Sequence, residues 1–322
     1  TFIIFSNQHY LKNISFNFFN ELQIKKIKYI FKNNNKKKFI NNFYKFFKKI
    51  LIKERPNKII LQGDTNTSLV GCLASRDYSN QVNKNVKIAH IEAGLRSYDL
   101  SMPEEFNRTI IDHNSDYLFV PTYHQKQNLL KEGIKSKKIF IVGNTIADSI
   151  KFFEKKLINK NFKNFILITF HRHELLENIN RLKKLVNLIN NIEKNFKKKI
   201  FFPIHPRTKK LIRKFNLKFR KNIKILAPQN YANFLSLINN SDIVLSDSGG
   251  LQEECCILNK HHITLRNNTE RPETILINAN IISKFNYSII SERIKKISKE
   301  KIYWESPYGR NVSKIIKNII FR

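Results

Sequence analysis

The residues best suited to chemistry lie where an apolar run ends. Ile243-Val244-Leu245 leads into Ser246-Asp247-Ser248-Gly249-Gly250, and an apolar and acidic segment from Leu251 to Leu258 follows. This order predicts a buried strand, a tight turn and a helix. Two glycines let the backbone approach a ligand, and free N–H groups at a helix start attract phosphate. Glu254 could then bind a sugar hydroxyl, although Ser-Gly-Gly taken alone is better read as a plain turn.

Three carboxylates follow other apolar runs. Asp64 comes after Ile59-Ile60-Leu61, and Glu92 comes after the strand predicted at Val86–Ala89. A carboxylate there could be a general base, and Asp64 could equally cap the next helix. An acidic side chain at the end of a buried strand is costly unless it is paired or functional. Glu104 follows Pro103, where acidic residues also favour a helix start through its dipole.

Histidine and arginine follow two further runs in the second half of the chain. The segment His171-Arg172-His173-Glu174 follows Phe165–Thr169, and His205 and Arg207 follow Ile200–Phe202. The spacing is not H-E-x-x-H, and no second His or Cys cluster accompanies it, so no metal site is predicted. Imidazole and guanidinium groups beside the Ser-Gly-Gly turn favour an anion site instead.

The elements that position these residues alternate between short apolar runs and amphipathic stretches. Alternation of strand and helix predicts an α/β fold with a parallel sheet and helices on both faces. Runs such as Ile59-Ile60-Leu61 predict strands buried on both faces. Such sheets bind ligands at the carboxyl ends of their strands. Most of the acidic residues, histidines and arginines outside the lysine runs follow strand ends, which favours an enzyme.

Composition narrows the class of protein. The 322 residues suffice for two domains. A net charge of +34 often indicates nucleic-acid binding, but the charge lies in solvated lysine runs and arginine is scarce, so no specific nucleic acid is expected. The three cysteines form no CxxC pair, which favours a reducing cytoplasm. No apolar run approaches the ~18 residues of a membrane span.

The sequence lacks several known catalytic motifs and contains one candidate domain boundary. The chain has no GxGxxG, Walker loop or convincing Ser-His-Asp order, which disfavours a nicotinamide dehydrogenase or a kinase. A linker is predicted at residues 161–164, and the domain boundary is placed near it. The chain begins with Thr1 and an apolar run, from which we expect a natural N-terminus outside these residues.

Taken together, the motifs resemble one family, the non-hydrolysing UDP-N-acetylglucosamine 2-epimerases. Each motif is weak alone, but their order and spacing over nearly the whole chain are specific. The motifs are Gln62-Gly63-Asp64-Thr65, His90-Ile91-Glu92-Ala93-Gly94-Leu95-Arg96-Ser97, Pro103-Glu104-Glu105-Phe106-Asn107-Arg108, Gly143-Asn144-Thr145, His171-Arg172-His173-Glu174, Asp247-Ser248-Gly249-Gly250-Leu251-Gln252-Glu253-Glu254 and Thr269-Glu270-Arg271-Pro272-Glu273.

The resemblance implies an architecture and a reaction. It implies two Rossmann-like domains facing across a cleft, the GT-B fold, with residues 1–146 in the first domain and residues 147–300 in the UDP-binding second domain. Residues 301–322 would form a helix that returns to the first domain. It further implies inversion of C2 of UDP-GlcNAc to UDP-ManNAc through a 2-acetamidoglucal, with no metal or redox cofactor, in a cytoplasmic homodimer.

The resemblance also implies roles for single residues. Asp64, Glu92 and Glu104 would be the acid/base carboxylates, and His171 would be the catalytic histidine near the departing phosphate. Ser248 and Gly249 would hold phosphate and Glu254 the ribose. The other expected substrate-binding residues are Arg96, Arg172, Glu174, His205, Arg207, Gly250 and Arg271.

Some features depart from the family. Its first strand and its Gly-Thr-Arg-Pro-Glu loop have no counterpart here, so we expect weak or no activity from residues 1–322 as they stand. Three alternatives stay open: a 2-epimerase acting on a UDP-2,3-diacetamido-2,3-dideoxyglucuronate, a GT-B glycosyltransferase, and a non-catalytic basic RNA-associated protein. The substituents at C3 and C6 of the sugar, the regulation and the oligomeric state do not follow from the sequence.

Overall fold

A computed structural model describes residues 1–8, 19–24, 27–32, 36–154, 164–170, 179–299 and 303–321, and leaves the side chains of Lys36 and Arg207 undescribed within these ranges. The chain divides into two compact units. Unit 1 comprises Thr1–Thr145 with Gly309–Arg322, and unit 2 comprises Ile146–Tyr308. Strands and helices are numbered below in chain order.

Unit 1 contains parallel strands in two sheets. One sheet pairs β1 with β2, and the other has the order β3-β4-β5-β6. The strands are β1 (Ile4–Phe5), β2 (Tyr29–Ile30), β3 (Lys58–Gln62), β4 (Lys87–Ile91), β5 (Tyr117–Val120) and β6 (Ile139–Ile141). The helices up to the end of β6 are α1 (Phe39–Glu54), α2 (Asn66–Gln81), α3 (Pro103–His113) and α4 (Tyr123–Lys131), with 3-10 turns at Lys36–Lys38 and Ser136–Lys138.

Unit 2 is built on one six-stranded parallel sheet with the order β12-β11-β10-β7-β8-β9. The strands are β7 (Phe165–Thr169), β8 (Lys199–Pro203), β9 (Ile223–Leu226), β10 (Ile243–Ser246), β11 (His262–Thr264) and β12 (Asn280–Ile282). The helices are α5 (Ile146–Glu154), α6 (Ile179–Phe196), α7 (Pro206–Lys214), α8 (Tyr231–Asn240), α9 (Gly249–Ile257), α10 (Pro272–Leu276) and α11 (Tyr287–Lys299).

The strand order of unit 2 explains where its ligand chemistry lies. Counted from β7 as the first strand, the order is 3-2-1-4-5-6, the doubly wound Rossmann arrangement. The order reverses between β7 and β10, and the crevice at such a switch point is where these sheets bind ligands. The Ser-Gly-Gly turn follows β10, so the sheet places that turn at the switch point.

Apolar spacing accounts for helix α1. Phe39, Phe43 and Phe47 recur every four residues and form one buried face with Ile50 and Leu51, because residues four apart lie on the same side of a helix. The helix ends where Arg55 adopts a left-handed conformation with φ 45° and donates its N–H to the carbonyl of Leu51. Pro56 follows, and it cannot continue a helix.

The last helix, α12 (Val312–Ile320), belongs to unit 1. Val312, Ile316 and Ile320 are four residues apart, and all three are buried. They pack with Ala89 of β4 and Phe119 of β5. The C-terminal segment therefore completes the core of the unit in which the chain began.

Strand β3 differs from the expectation of burial on both faces. Ile60 at its centre is 44% exposed, although Leu61 is buried. The physical reason is position: among the described strands, β3 lies at the end of its sheet and pairs with β4 alone. No helix in the described part of the chain is long and apolar enough to cross a membrane.

The packing of α12 can be tested with adjacent isoleucines. Ile316 is 4% exposed and Ile315 is 41% exposed. We expect Ile316→Ala to lower the free energy of unfolding by about 2–5 kcal/mol, since it leaves a cavity in the core. Ile315→Ala should cost less than about 1 kcal/mol. Urea unfolding, with hydrogen exchange read on unit 1 peptides, measures both, and equal costs would contradict the packing described.

Candidate active site

Two of the expected carboxylates follow neighbouring strands of unit 1. Gln62 at the end of β3 pairs in register with Ile91 at the end of β4, so Asp64 and Glu92 emerge at the same edge of the sheet. Glu92 has φ 66°, a conformation uncommon outside glycine. The Gln62 side chain donates to the Glu92 carboxylate at 2.9 Å and holds it in place.

Helix α3 brings a cation to Asp64. Arg108 donates from Nη2 to the Asp64 carboxylate at 2.5 Å and from Nη1 to Glu105 at 2.9 Å. Glu105 is fixed in turn, because it accepts from the backbone and hydroxyl of Ser97 at 2.9 and 2.8 Å. Asn107 also donates to the backbone carbonyl of Asp64. The buried residues near the start of α3, Asn107 and Arg108, therefore orient Asp64.

The two adjacent acids at the start of α3 have different environments. Glu105 is buried in the contacts just described, whereas Glu104 is exposed. An exposed carboxylate can exchange protons with a ligand or with solvent. The structure therefore leaves Glu104, rather than Glu105, free to act on a substrate, while the helix-dipole explanation of both residues also holds.

A fully buried carboxylate, Asp112, supports this edge of the sheet. It accepts from His90 Nδ1 at 2.7 Å, from the Gly94 backbone N–H at 3.1 Å and from Arg96 Nη1 at 2.8 Å. Burial acts to raise the pKa of the Asp112 carboxyl, but the charges and hydrogen bonds of His90 and Arg96 outweigh it, and the pKa is lowered. The loop after β4 is thus held by an ionised group.

His90 extends the same network to the segment that carries Asp64. Its Nε2 lies 3.0 Å from the carbonyl oxygen of Gly63, and its Nδ1 contacts Asp112. Both partners are acceptors, so the ring satisfies both only when each nitrogen carries a hydrogen. The buried pair of His90 and Asp112 therefore links β4 and the end of β3 to helix α3.

Arg96 has a different place from the one expected. Its side chain is 2% exposed and pairs with Asp112 and, through Nε and Nη2, with Glu132 at 2.6 and 2.7 Å. A guanidinium committed to two carboxylates in the core has little capacity left for a ligand. In the structure Arg96 fixes the β4–α3 loop, and its expected contact with the substrate stays a prediction.

In unit 2, the Ser-Gly-Gly turn forms the start of α9. Ser248 is the N-cap residue, and its hydroxyl makes no capping hydrogen bond. Its backbone N–H donates to Ser246 Oγ at 3.0 Å. Gly250 is exposed, and a Cβ built on it would meet no atom within 4 Å. The turn thus presents the backbone N–H groups of the helix start and the Ser248 hydroxyl, which makes no capping hydrogen bond, and these groups suit a phosphate.

Gly249 is required for a close approach of Arg271. A Cβ at Gly249 would lie 2.7 Å from Arg271 Nη1. Arg271 is paired at 2.8 Å with Glu253 and at 3.6 Å with Glu270. Glycine therefore brings a guanidinium, fixed by two acids, against the first turn of α9.

Glu254 is buried on the same helix with an aromatic partner. The Tyr231 hydroxyl donates to its carboxylate at 2.9 Å, and Phe153 packs edge-on against the Tyr231 ring. Burial raises the pKa of the Glu254 carboxyl to about 7, although the hydrogen bond from Tyr231 lowers it. With its pKa raised to about 7, Glu254 can lose its proton near neutral pH, and it then has two acceptor oxygens in place of one O–H donor and one carbonyl oxygen.

The remaining expected residues are placed in part. His171, Arg172 and Glu174 lie outside the described residues, directly after β7. His205 is exposed between β8 and α7, and Arg207 is the second residue of α7, where its side chain is not described. Their roles at an anion site stay predictions.

Two residues at the site carry no expectation from the sequence. Arg108 contacts Asp64 but is four residues beyond Glu104 on a helix, and this i, i+4 spacing is the signal that could have indicated it. Tyr231 begins the helix after β9, where the strand-end rule also applies.

The other polar candidates are structural. His261 and His262 are buried, and burial lowers the pKa of each ring to about 4. The three cysteines are free and buried, with no disulfide between them. Among the described residues no three His, Cys, Asp or Glu side chains form a group that could hold a metal ion.

Comparison with known proteins identifies the family and the fold of the chain. Residues 1–320 match the family model described as UDP-N-acetylglucosamine 2-epimerase. The chain is similar to the UDP-N-acetylglucosamine 2-epimerase of Methanococcus maripaludis, with 45% identity over 338 residues that cover 99% of this chain and 91% of that protein. It is 35% identical to the UDP-2,3-diacetamido-2,3-dideoxy-D-glucuronate 2-epimerase of Pseudomonas aeruginosa, over 87% of this chain and 79% of that protein.

A solved structure shows the same fold. The crystal structure of Methanocaldococcus jannaschii UDP-GlcNAc 2-epimerase, in complex with UDP-GlcNAc and UDP, aligns with a TM-score of 0.89 and 40% identity, covering 100% of this chain and 92% of that one. The α/β class with Rossmann-like parallel sheets, predicted from the sequence, is confirmed.

The sheet edge of unit 1 that carries Asp64 and Glu92 is called the carboxylate edge below. Its support by Asp112 can be tested directly. Asp112→Asn keeps the size but removes the charge that Arg96 and His90 share. We expect it to lower the free energy of unfolding by about 3 kcal/mol or more, because it removes the buried carboxylate that His90 and Arg96 both contact and leaves Arg96 with Glu132 alone. Asp77→Asn, a surface control paired with Lys48, should cost less than about 1 kcal/mol. Urea unfolding compares them, and equal costs would contradict the role of Asp112.

Proposed function

Because this chain belongs to the UDP-N-acetylglucosamine 2-epimerase family, we propose that it interconverts UDP-GlcNAc and UDP-ManNAc by inverting C2 of the sugar. The observation that carries the proposal is the pair of carboxylates, Asp64 and Glu92, held at one sheet edge of unit 1. The match to the family model over residues 1–320 supports it. The expectation of weak or no activity from residues 1–322 stays a prediction, which the initial rate of this chain measures. Precursor synthesis for cell-surface polysaccharides would be the use of the product.

The proposed reaction is an elimination followed by an addition. A base removes the proton from C2, the C–H electron pair forms the C1–C2 double bond, and the C1–O bond to UDP breaks. Protonation of C2 from the opposite face and return of UDP to C1 then give the epimer. Two proton-transfer groups are required because the two faces of C2 are addressed in turn.

Unit 1 offers the acid/base groups for these steps. Arg108 fixes the Asp64 carboxylate at the sheet edge, so we assign Asp64 to proton transfer at C2 with Glu92 or the exposed Glu104 as its counterpart. The Gln62 contact and the left-handed backbone of Glu92 hold that carboxylate in one orientation. Groups held in advance need no reorganisation during the reaction.

Unit 2 offers a site for the nucleotide. The start of α9, with Ser248 and Gly249, would bind the diphosphate, and Arg271 is fixed against Gly249 to add positive charge. His171 would stabilise the departing phosphate. Positive groups at a leaving diphosphate favour the transition state, in which negative charge develops there.

Glu254 would bind the ribose. Its ionised carboxylate accepts from Tyr231 and has further acceptor capacity for two sugar hydroxyls. Since its pKa is raised to about 7, this binding would depend on pH within the physiological range.

The choice of sugar follows from similarity. Identity is 45% to the relative named for UDP-N-acetylglucosamine and 35% to the relative named for the diacetamido glucuronate. A uronic acid carries an additional carboxylate, which a site would have to pair with a cation. Initial rates with both UDP sugars decide between them.

Two further properties belong to the proposal. We propose a homodimer, which light scattering on the purified protein measures as mass, and a cytoplasmic location, in agreement with three free cysteines. The mass of a monomer at every concentration used would contradict the proposed homodimer.

The acid/base assignment predicts the effect of one substitution. Asp64→Asn should slow the interconversion about 10²-fold or more, since a positioned general base contributes about that much. Asp77→Asn on the surface of the same unit should leave the rate unchanged. Anion-exchange chromatography of long incubations, started from UDP-GlcNAc and separately from UDP-ManNAc, measures both directions. Equal rates for the two variants would sink the assignment, and release of UDP with free sugar would sink the epimerase proposal.

The Tyr231–Glu254 contact predicts a shift with pH. Below its pKa of about 7 Glu254 is protonated and accepts poorly, so affinity for UDP should rise as pH increases through 7. Tyr231→Phe removes a donor to the carboxylate, so the pKa increases further and the midpoint should move up by about one pH unit. Calorimetric titration with UDP from pH 5.5 to about 9 measures this.

A matched control separates this effect from general damage. Tyr303 is 77% exposed in the same unit, so Tyr303→Phe should leave the midpoint unchanged. UDP ionises in the same way with the unsubstituted protein, Tyr231→Phe and Tyr303→Phe, so its contribution to the pH dependence cancels when the three midpoints are compared. An unshifted midpoint in Tyr231→Phe would show that Tyr231 does not set the charge of Glu254.

A further inference from the structure

Four charged side chains are buried together beside the start of α9. Glu253 belongs to α9, and Arg266, Glu270 and Arg271 belong to the segment between β11 and α10. None of the four is more than 8% exposed. Buried ions are costly unless each has a well-placed partner, so the contacts among these side chains fix where each charge lies.

Glu270 is committed to Arg266. Arg266 donates to its carboxylate from Nη1 at 2.8 Å and from Nη2 at 3.1 Å. Such a two-pronged pair is the arrangement that guanidinium and carboxylate groups favour. The distance from Glu270 to Arg271 Nη1 is 3.6 Å, longer than a hydrogen bond. Glu270 therefore has its own cation and restrains Arg271 less.

Glu253 is the acid that fixes the side chain of Arg271. Its Oε2 lies 2.8 Å from Arg271 Nε, whereas Nη1 is the atom that lies against Gly249. Glu253 follows Gly249 by four residues, so the two are about one turn apart on the helix. The pair of Glu253 and Arg271 thus ties the guanidinium to the helix whose start would bind phosphate.

The main chain of Arg271 is fixed as well. Its N–H donates to Thr269 Oγ1 at 3.1 Å, and Thr269 Oγ1 donates to Gln252 Oε1 at 2.6 Å. Gln252 is buried on α9 and precedes Glu253. Two successive residues of α9 therefore restrain Arg271, one through its main chain and the other through its side chain.

The position of Arg271 decides what an anion at the start of α9 meets. When ionised, the two guanidinium groups and the two carboxylates sum to no net charge, so the nearer charge dominates. A Cβ at Gly249 would lie 2.7 Å from Arg271 Nη1 and 3.7 Å from Glu270 Oε2. The cation is nearer to this point, and it stays nearer only while Arg271 keeps its place.

We propose that Glu253 is a positioning residue for the diphosphate of the nucleotide and acts through Arg271. It does not touch the ligand. It holds the guanidinium so that Nη1 lies at the start of α9, where Ser248 and Gly249 would bind phosphate. The inference rests on the nucleotide site of the proposed function and adds the residue that orients its cation.

One substitution separates positioning from a plain effect of charge. Glu253→Gln keeps the size of the side chain and removes a negative charge near the phosphates. If charge alone mattered, UDP would bind more tightly, because a repulsion is removed. If Glu253 positions Arg271, UDP binds more weakly because the guanidinium is released. We expect the Kd for UDP to rise about tenfold or more, the size of one lost contact with a charged group.

Uridine is the probe without phosphate. Its affinity should change less than about twofold in Glu253→Gln, since Arg271 would not contact it. Adding Glu253→Gln to Arg271→Ala should also change the Kd for UDP less than about twofold, because the residue through which Glu253 acts is gone. Calorimetric titration of the purified full chain with UDP and with uridine measures each Kd.

Glu193→Gln is the matched control. Glu193 is also 3% exposed in unit 2 and is paired with Arg220, so its substitution should leave the ratio of UDP to uridine affinity unchanged. Glu253→Asp is a second variant that keeps the charge and shortens the side chain by one methylene. We expect it to weaken UDP about threefold or more with uridine unchanged, and it decides the question if Glu253→Gln does not fold.

Unchanged or tighter binding of UDP by the Glu253 variants would overturn the proposal. An equal loss of affinity for uridine would also overturn it, because the whole site would then be damaged. So would a full further loss in the double variant, since Glu253 would then act without Arg271. The proposed function is judged separately: if the unsubstituted chain forms no UDP-ManNAc while Glu253→Gln loses UDP selectively, the epimerase proposal fails and the positioning role stands.

Discussion

The buried charge of Asp112 is the constraint on which the carboxylate edge of unit 1 depends. One carboxylate accepts from His90, Gly94 and Arg96, and His90 continues to the carbonyl of Gly63. A buried ion is costly unless its partners are complete, so strand β4, its loop and helix α3 can hold only one arrangement together. That arrangement sets the backbone on which Asp64 and Glu92 stand, and it explains why Arg96 supports the site from within.

Unit 2 also has a parallel sheet, but its polar strand ends suit the binding of an anion. Its doubly wound sheet brings the end of β10 to the switch point, where a helix start without a capping side chain can bind an anion. Gly249 admits the guanidinium of Arg271, and Tyr231 restrains the charge of Glu254. The basic groups of unit 2 and Glu254, with its pKa near 7, suit a nucleotide. The carboxylates of unit 1 suit proton transfer. The family match spans residues 1–320 and so includes both groups of residues.

Local pattern was sufficient for some features and insufficient for others. Apolar runs predicted the strands that precede Asp64, Glu92 and Ser248, because short apolar runs bounded by turn residues are typical of strands in a parallel sheet. The pattern could not show that Ile60 lies on an edge strand, since that depends on which strand pairs with β3. Tyr231 and Arg108 reach their carboxylates from distant segments. The spacing from Glu104 to Arg108 could mark Arg108 as a candidate on one helix face, but it does not encode the contact with Asp64.

Proton exchange at C2 of the sugar tests the central claim most directly. UDP-GlcNAc is incubated with the protein in D2O, and the C2 proton signal is followed by NMR. The account predicts that UDP-ManNAc forms with deuterium at C2, because the proton removed by the carboxylate edge is replaced from solvent. Formation of UDP-ManNAc that retains its original C2 proton would contradict proton abstraction at C2 and the roles assigned to Asp64 and Glu92.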